Sequence, residues 1–266
     1  MEMNNPAGRL LAILTDGKKI GSNTPCREAW AQLLDLKGKP NHLLIGRIGK
    51  VYSLADEIAA ELSRVDNVEV LRFMGWTKYF ETSFSQCNLD QPWTSFINHI
   101  SEPAMDYLHM TSSLLSTNRP QPVLKRDELL DISDNAEQLI QKIIDSNIPE
   151  HLKRYFLEQL RKIRFAIEEY QITGSAQVAE IVEATFGKAI LNQDLVKVRD
   201  THDSAKGFWN FMAKTALVVS TFAGGVQLLE TTVKVFPELA EPFKQELVVN
   251  SENNVDELES NFENEV

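Results

Sequence analysis

The sequence predicts an all-α protein, a helical bundle of roughly eight to ten helices followed by a disordered acidic C-terminal tail. Three observations carry that prediction. Apolar residues recur three and four apart along most of the chain, which places them on one side of a helix. Strand-like alternation is confined to Val68–Phe73, and one isolated strand cannot build a sheet. From Asn250 onward the chain is rich in Glu and Asn with few large apolar residues, too little burial to offset the entropy of ordering it. The whole chain, 43% apolar and 24% charged over 266 residues, has a globular composition and is long enough to bury a core.

In order along the chain, Leu10, Leu11, Ile13 and Leu14 predict a short apolar turn that stops at Thr15, Asp16 and Gly17. Thr24 before Pro25 signals a helix start, with proline at the first helical position and Ala29, Trp30, Leu33 and Leu34 on the apolar side. Leu43 to Val65 repeats with helical spacing through Leu44, Ile48, Val51, Leu54, Ile58 and Leu62. Phe73 to Phe96 is crowded with rings, of which Phe73, Trp76, Tyr79, Phe80 and Phe84 suit one side of a helix. The loop Cys87–Pro92 follows, then helix from Trp93 to Leu115.

Asn118, Pro120 and Pro122 mark a linker, because closely spaced prolines resist helix and ladder alike. Beyond it, Asp134 with Glu137 resembles a reciprocal cap ahead of Leu139, Ile140, Ile143 and Ile144. Glu150 to Tyr170 is the most regular helix, with Leu152, Phe156, Leu160, Ile163 and Ile167 along one side. Helices over 175–186 and 188–199 are separated at Gly187, and Pro237 ends the segment that begins at Phe208. The division expected is an aromatic-rich helical N-terminal domain over 1–117, a linker over 118–124, a helical C-terminal bundle over 125–237 and an acidic tail over 238–266.

The net charge of −11 belongs mostly to that tail, where nine acids face Lys244 alone; everything before it carries −3. A nearly balanced body lacks the basic field that displaces phosphate counterions, so broad nucleic-acid binding is not expected. Cys26 and Cys87 make no spacing motif, and no disulfide framework is predicted. The N-terminus has no secretory pattern, which makes the cytoplasm the expected location, with a peripheral or inserted position at the inner membrane as the alternative.

The search for chemistry returns weak signals. Gly46, Gly49 and Lys50 have the wrong spacing for a phosphate loop and lack its hydroxyl. His99, Glu102, Asp106 and His109 are spaced like helical metal ligands, but Pro103 interrupts them and no second such motif exists. Ser204 beside His202 and Asp203 is local crowding without a nucleophile elbow. No catalytic, cofactor-binding or metal residues are therefore assigned.

Two binding signals remain. Lys153, Arg154, Arg161 and Arg164 share a helix face with Leu157 in its middle, a candidate site for an anionic ligand or a protein partner. The second is Phe208–Phe236, whose centre, Thr215–Leu229, is fifteen residues without a charge. As a helix it would be only ~22 Å long, against a bilayer core of about 30 Å. Phe208, Trp209, Phe211, Leu217, Val218, Phe222, Leu228 and Leu229 supply bulk there, while Gly224 and Gly225 permit close helix approach. The function expected is a non-enzymatic interaction or regulatory protein that forms a homo-oligomer through its C-terminal helices. The alternative is a membrane-permeabilising bacterial effector, channel- or pore-forming, that inserts 208–236 on a signal sensed by the other helices.

Overall fold

The structure is a computed structural model that describes residues 3–220. Every regular element among the described residues is a helix, and the one β-type pairing is an isolated bridge between Pro25 and Pro92. Thirteen helices are present among these residues: α1 (Pro6–Gly17), α2 (Cys26–Leu33), α3 (Asn41–Leu62), α4 (Val70–Phe73), α5 (Thr77–Ser85), α6 (Thr94–Ile97), α7 (Glu102–Asn118), α8 (Arg126–Ile144), α9 (Glu150–Glu168), α10 (Tyr170–Thr173), α11 (Ala176–Leu191), α12 (Gln193–Thr201) and α13 (Asp203–Ser220). Three of them, α4, α6 and α10, are single turns too short to leave a periodic trace in the sequence. The acidic tail and residues 221–237 lie outside the described residues.

The chain forms two compact units. The first comprises residues 1–123 together with Glu168–Gly174, and the second comprises Leu124–Ile167 with the described residues from Ser175 onward. A short strap late in the sequence, 168–174, is thus part of the N-terminal unit.

The first unit is built around α1, which packs against α2, α3, α7 and α10. Pro6 to Leu11, Ile13, Leu14 and Gly17 are all buried, while Ala12 and Thr15 are half-buried and Asp16 is exposed, so α1 is a full helix set deep in the unit rather than a short apolar turn. Its start is tied down twice. The Asn5 side chain accepts from Gly8 N–H at 2.9 Å and donates to Ser112 O at 3.1 Å, joining cap and neighbouring helix. At the other end the Trp93 indole N–H donates to Gly17 O at 2.7 Å. A Cβ at Gly17 would lie 3.1 Å from the Trp93 ring, which is why the smallest residue stands there.

The aromatic stretch becomes core, as ring packing favours. Trp30 meets Trp93 and Phe96 edge-on at 5.3 and 5.0 Å, and Phe84 meets Phe96 at 5.1 Å. These rings do not share one helix, however. The backbone breaks at 74–76, so Phe73 rides α4 while Tyr79, Phe80 and Phe84 ride α5. The helix expected from Trp93 to Leu115 also divides, because Ser101 caps a fresh start, accepting from Ala104 N–H with Pro103 in the first turn.

In the second unit, α13 packs against α8, α11 and α12. Its Phe208 ring lies 4.4 Å from Phe156 of α9, and Trp209 lies 5.8 Å from Phe186 of α11 while donating its indole N–H to Leu195 O at 2.9 Å. Tyr155 borders this core, and burial pushes its hydroxyl pKa up.

Four local expectations are corrected. Pro25 precedes α2 in an extended conformation, held by the bridge to Pro92, so Thr24 is not its cap. Asp134 lies inside α8, which starts earlier because the Glu128 carboxylate accepts from Lys125 N–H at 2.6 Å. Glu169 interrupts the long helix expected to reach Tyr170. Gly187 keeps a helical backbone, and α11 runs on to Leu191; the break comes at Asn192, whose side chain accepts from Asp194 N–H at 3.1 Å.

Candidate functional site

A concave feature of the second unit lies between α8 and α13. These helices run antiparallel: Ser204 Oγ meets Lys142 O at 3.4 Å, and Leu139 packs beside Gly207, where an added Cβ would be 3.1 Å from it. The absence of a side chain at Gly207 lets the helices approach closely at that level. The resulting groove has a volume of about 340 Å3. Ile132, Leu139, Phe211 and Val218 form its apolar floor. Glu128 and Asp131 stand near one end of α8 and Lys142 near the other, with Lys214 on α13. Inside it, the Asn210 side-chain oxygen is buried without a hydrogen-bond partner. The lining thus sets apolar surface beside charges of both signs.

The basic face of α9 does not converge on one point. Lys153 donates to Ile144 O and Ser146 O at 3.1 and 2.8 Å, satisfying carbonyls at the end of α8. Arg164 is paired with Glu137. Arg154 and Arg161 are exposed, and Leu157 is half-buried. Arg154, Glu158, Arg161 and Phe165 fall on one outward stripe, and Phe165 is 43% exposed. Two of the four cations thus serve the fold and two face outward.

Of the segment beginning at Phe208, the structure describes the first thirteen residues, all within α13. Phe208, Trp209 and Phe211 are buried and Leu217 and Val218 are half-buried. Phe222, Gly224, Gly225, Leu228 and Leu229 lie outside the described residues. No helix among the described residues is long and apolar enough to cross a membrane.

The weaker motifs dissolve on inspection. Gly46 and Gly49 sit inside α3, and Lys50 pairs with Glu169. His99 lies in the turn before α7, while Glu102, Asp106 and His109 are exposed on it. No metal-holding group of His, Cys, Asp and Glu occurs among the described residues. His202 Nδ1 meets Thr201 Oγ1 at 2.8 Å rather than Ser204.

A polar cluster in the first unit matches none of the sequence motifs. Arg9 is 2% exposed in α1. Its Nε donates to Ile172 O at 2.8 Å, one Nη donates to Gln121 Oε1 at 2.7 Å, and the other lies 3.6 Å from Glu57 Oε2. Arg47, 3% exposed in α3, donates to Leu34 O and Glu168 and has Nε 3.5 Å from Glu169 Oε1. Glu169, equally buried, is also paired with Lys50. Gln171 donates to Leu33 O at 3.0 Å. These contacts seat the strap 168–174 in its unit, and Gly174 finishes it at φ +63, where a Cβ would lie 2.6 Å from an Arg9 nitrogen. Burial lowers the Arg9 pKa, opposed by Glu57, and burial raises that of Glu57, opposed by Arg9. The sequence signals were an arginine inside an apolar helix and paired glutamates where the α9 stripe ends.

Compared with protein-family models, curated proteins and solved structures, the chain matches none.

Proposed function

We propose that this chain is a non-enzymatic interaction protein that self-associates through the helices of its second unit. The observation supporting this reading is the groove between α8 and α13, an apolar floor within a rim of mixed charge. Opposite charges toward the two ends of α8 suit a two-fold pairing, in which the acids of one copy meet the lysine of the other. Exposed Leu130 on α8, together with Ile190 and Leu191 on α11, adds apolar surface to the same unit.

Light scattering on the full chain tests the reading. A dimer is expected at micromolar concentration, and Asn135→Arg with Gln138→Arg, both exposed at the groove, should yield a monomer of unchanged helicity. A wild-type chain that remains monomeric at every accessible concentration contradicts it. Dye release from liposomes by the wild-type chain would favour the permeabilising function instead.

A further inference from the structure

We propose that the outward stripe of α9 is a docking surface for this chain's own acidic terminus, residues 252–265. The stripe consists of Arg154, Glu158, Arg161, Lys162 and Phe165, all exposed and spaced three or four apart. Glu158 is taken up by Lys162 at 2.7 Å, which leaves Arg154 and Arg161 without a carboxylate partner among the described residues. The two arginines recur two turns apart, about 10 Å along the helix. Phe165 stands one turn beyond Arg161 at 43% exposure, so the stripe offers an apolar contact as well as charge.

The terminus supplies the complement. Residues 252–265 contain six acids and no base, against three cations and one acid in the stripe. In the same segment Val255, Leu258 and Phe262 are spaced three and four apart, a pattern that sets them on one side of a helix with acids flanking them. Three apolar side chains cannot build a core of their own, but they can cover a surface that already exists. Reach is sufficient: residues 221–251 put 31 residues between the end of α13 and the segment. That is up to ~100 Å of chain at about 3.3 Å per residue, whereas α9 is only ~28 Å long. Tethering favours this terminus over that of another copy, because a linked segment acts at a local concentration far above that of a free one. Exposed ion pairs are individually weak and screened by salt, so several act together here and added salt should release them. None of the stripe residues lines the α8–α13 groove, so this docking stands independently of self-association there.

The experiment is carbodiimide coupling of the full chain at low ionic strength, followed by peptide mass spectrometry. The reagent condenses an amine with a carboxylate that touches it, and Lys162 is the amine of the stripe. The expected product is a single chain carrying an amide between Lys162 and an acid of 252–265. It should exceed by about tenfold the products at Lys188, Lys197 and Lys206, which are exposed elsewhere in the same unit. Salt at about 1 M, where screening acts within ~3 Å, should abolish that preference, and so should Arg154→Glu with Arg161→Glu. The inference is overturned if the terminus couples evenly to all four lysines, couples to none, or couples only between two chains. A Lys162 product indifferent to salt overturns it as well. The wild-type pattern decides between these outcomes even if the variant fails to fold.

Discussion

The two units solve the same problem, fixing one arrangement of helices, by different physics. The first buries charge: Arg9, Arg47 and Glu169 are each almost wholly enclosed. In the second, the buried polar side chains among the described residues are Gln159, Ser175, Thr185 and Thr215, none of them charged. A helix of the first unit that slipped by one turn would strand a guanidinium or a carboxylate away from water, which is far more costly than an imperfect apolar contact. The second unit relies on amphipathic stripes and on the tilted and edge-on packing of Phe156, Phe208 and Trp209, contacts that a small slide weakens gradually. It also keeps the groove between α8 and α13, while most of α1 in the first unit is buried.

The comparison breaks most readily at Arg47. Arg47→Met leaves Glu169 buried without its arginine and should cost about 3–5 kcal/mol, seen as faster amide exchange in α1, α3 and the strap with α8 and α13 unchanged. Equal loss in both units would show that the polar cluster does not act locally. Gly174→Ala comes next, at about 1–3 kcal/mol from its backbone conformation alone, with further loss from the close approach of Arg9; the denaturant midpoint of the first unit reports it. In the second unit Phe208→Leu should cost less than about 1.5 kcal/mol, since the apolar core can repack around it. A larger loss in thermal unfolding would mean that this core is as exacting as the polar one.

The smallest effect is that of pH on Glu57. Its folded-state pKa is raised by burial, with Arg9 opposing, so the folded chain holds this proton more tightly than the unfolded chain. That contribution to stability is full below the unfolded carboxylate value, about 4.3, and is lost as pH rises through the higher folded value. Above that value the curve should be flat. Urea midpoints of the wild-type chain and of Glu57→Gln, compared across this window, should converge at low pH and differ by a small constant at high pH.

Sequence periodicity revealed what local spacing can encode. The stripe on α9 and the long repeat of α3 were readable because burial on one side repeats every three or four residues. Helix α1 was understated because its first turn, Pro6 to Arg9, is buried without large apolar side chains to mark it. The breaks at 74–76 and at Glu169 depend on partners far away in the chain, and so does the meeting of Arg47 with Glu168 and Glu169. On the basic face the residue types were evident, but sequence could not show that Lys153 and Arg164 are taken up by the fold. The α8–α13 groove required knowing which two helices are neighbours, which their separate patterns do not specify.

Amide exchange of the full chain at high and low concentration tests the proposed contact surface most directly. On dilution, peptides covering 128–142 and 207–218 should exchange faster while those covering α1 and α3 keep their protection. Exchange independent of concentration, or a change confined to the first unit, would contradict the assignment of self-association to the groove.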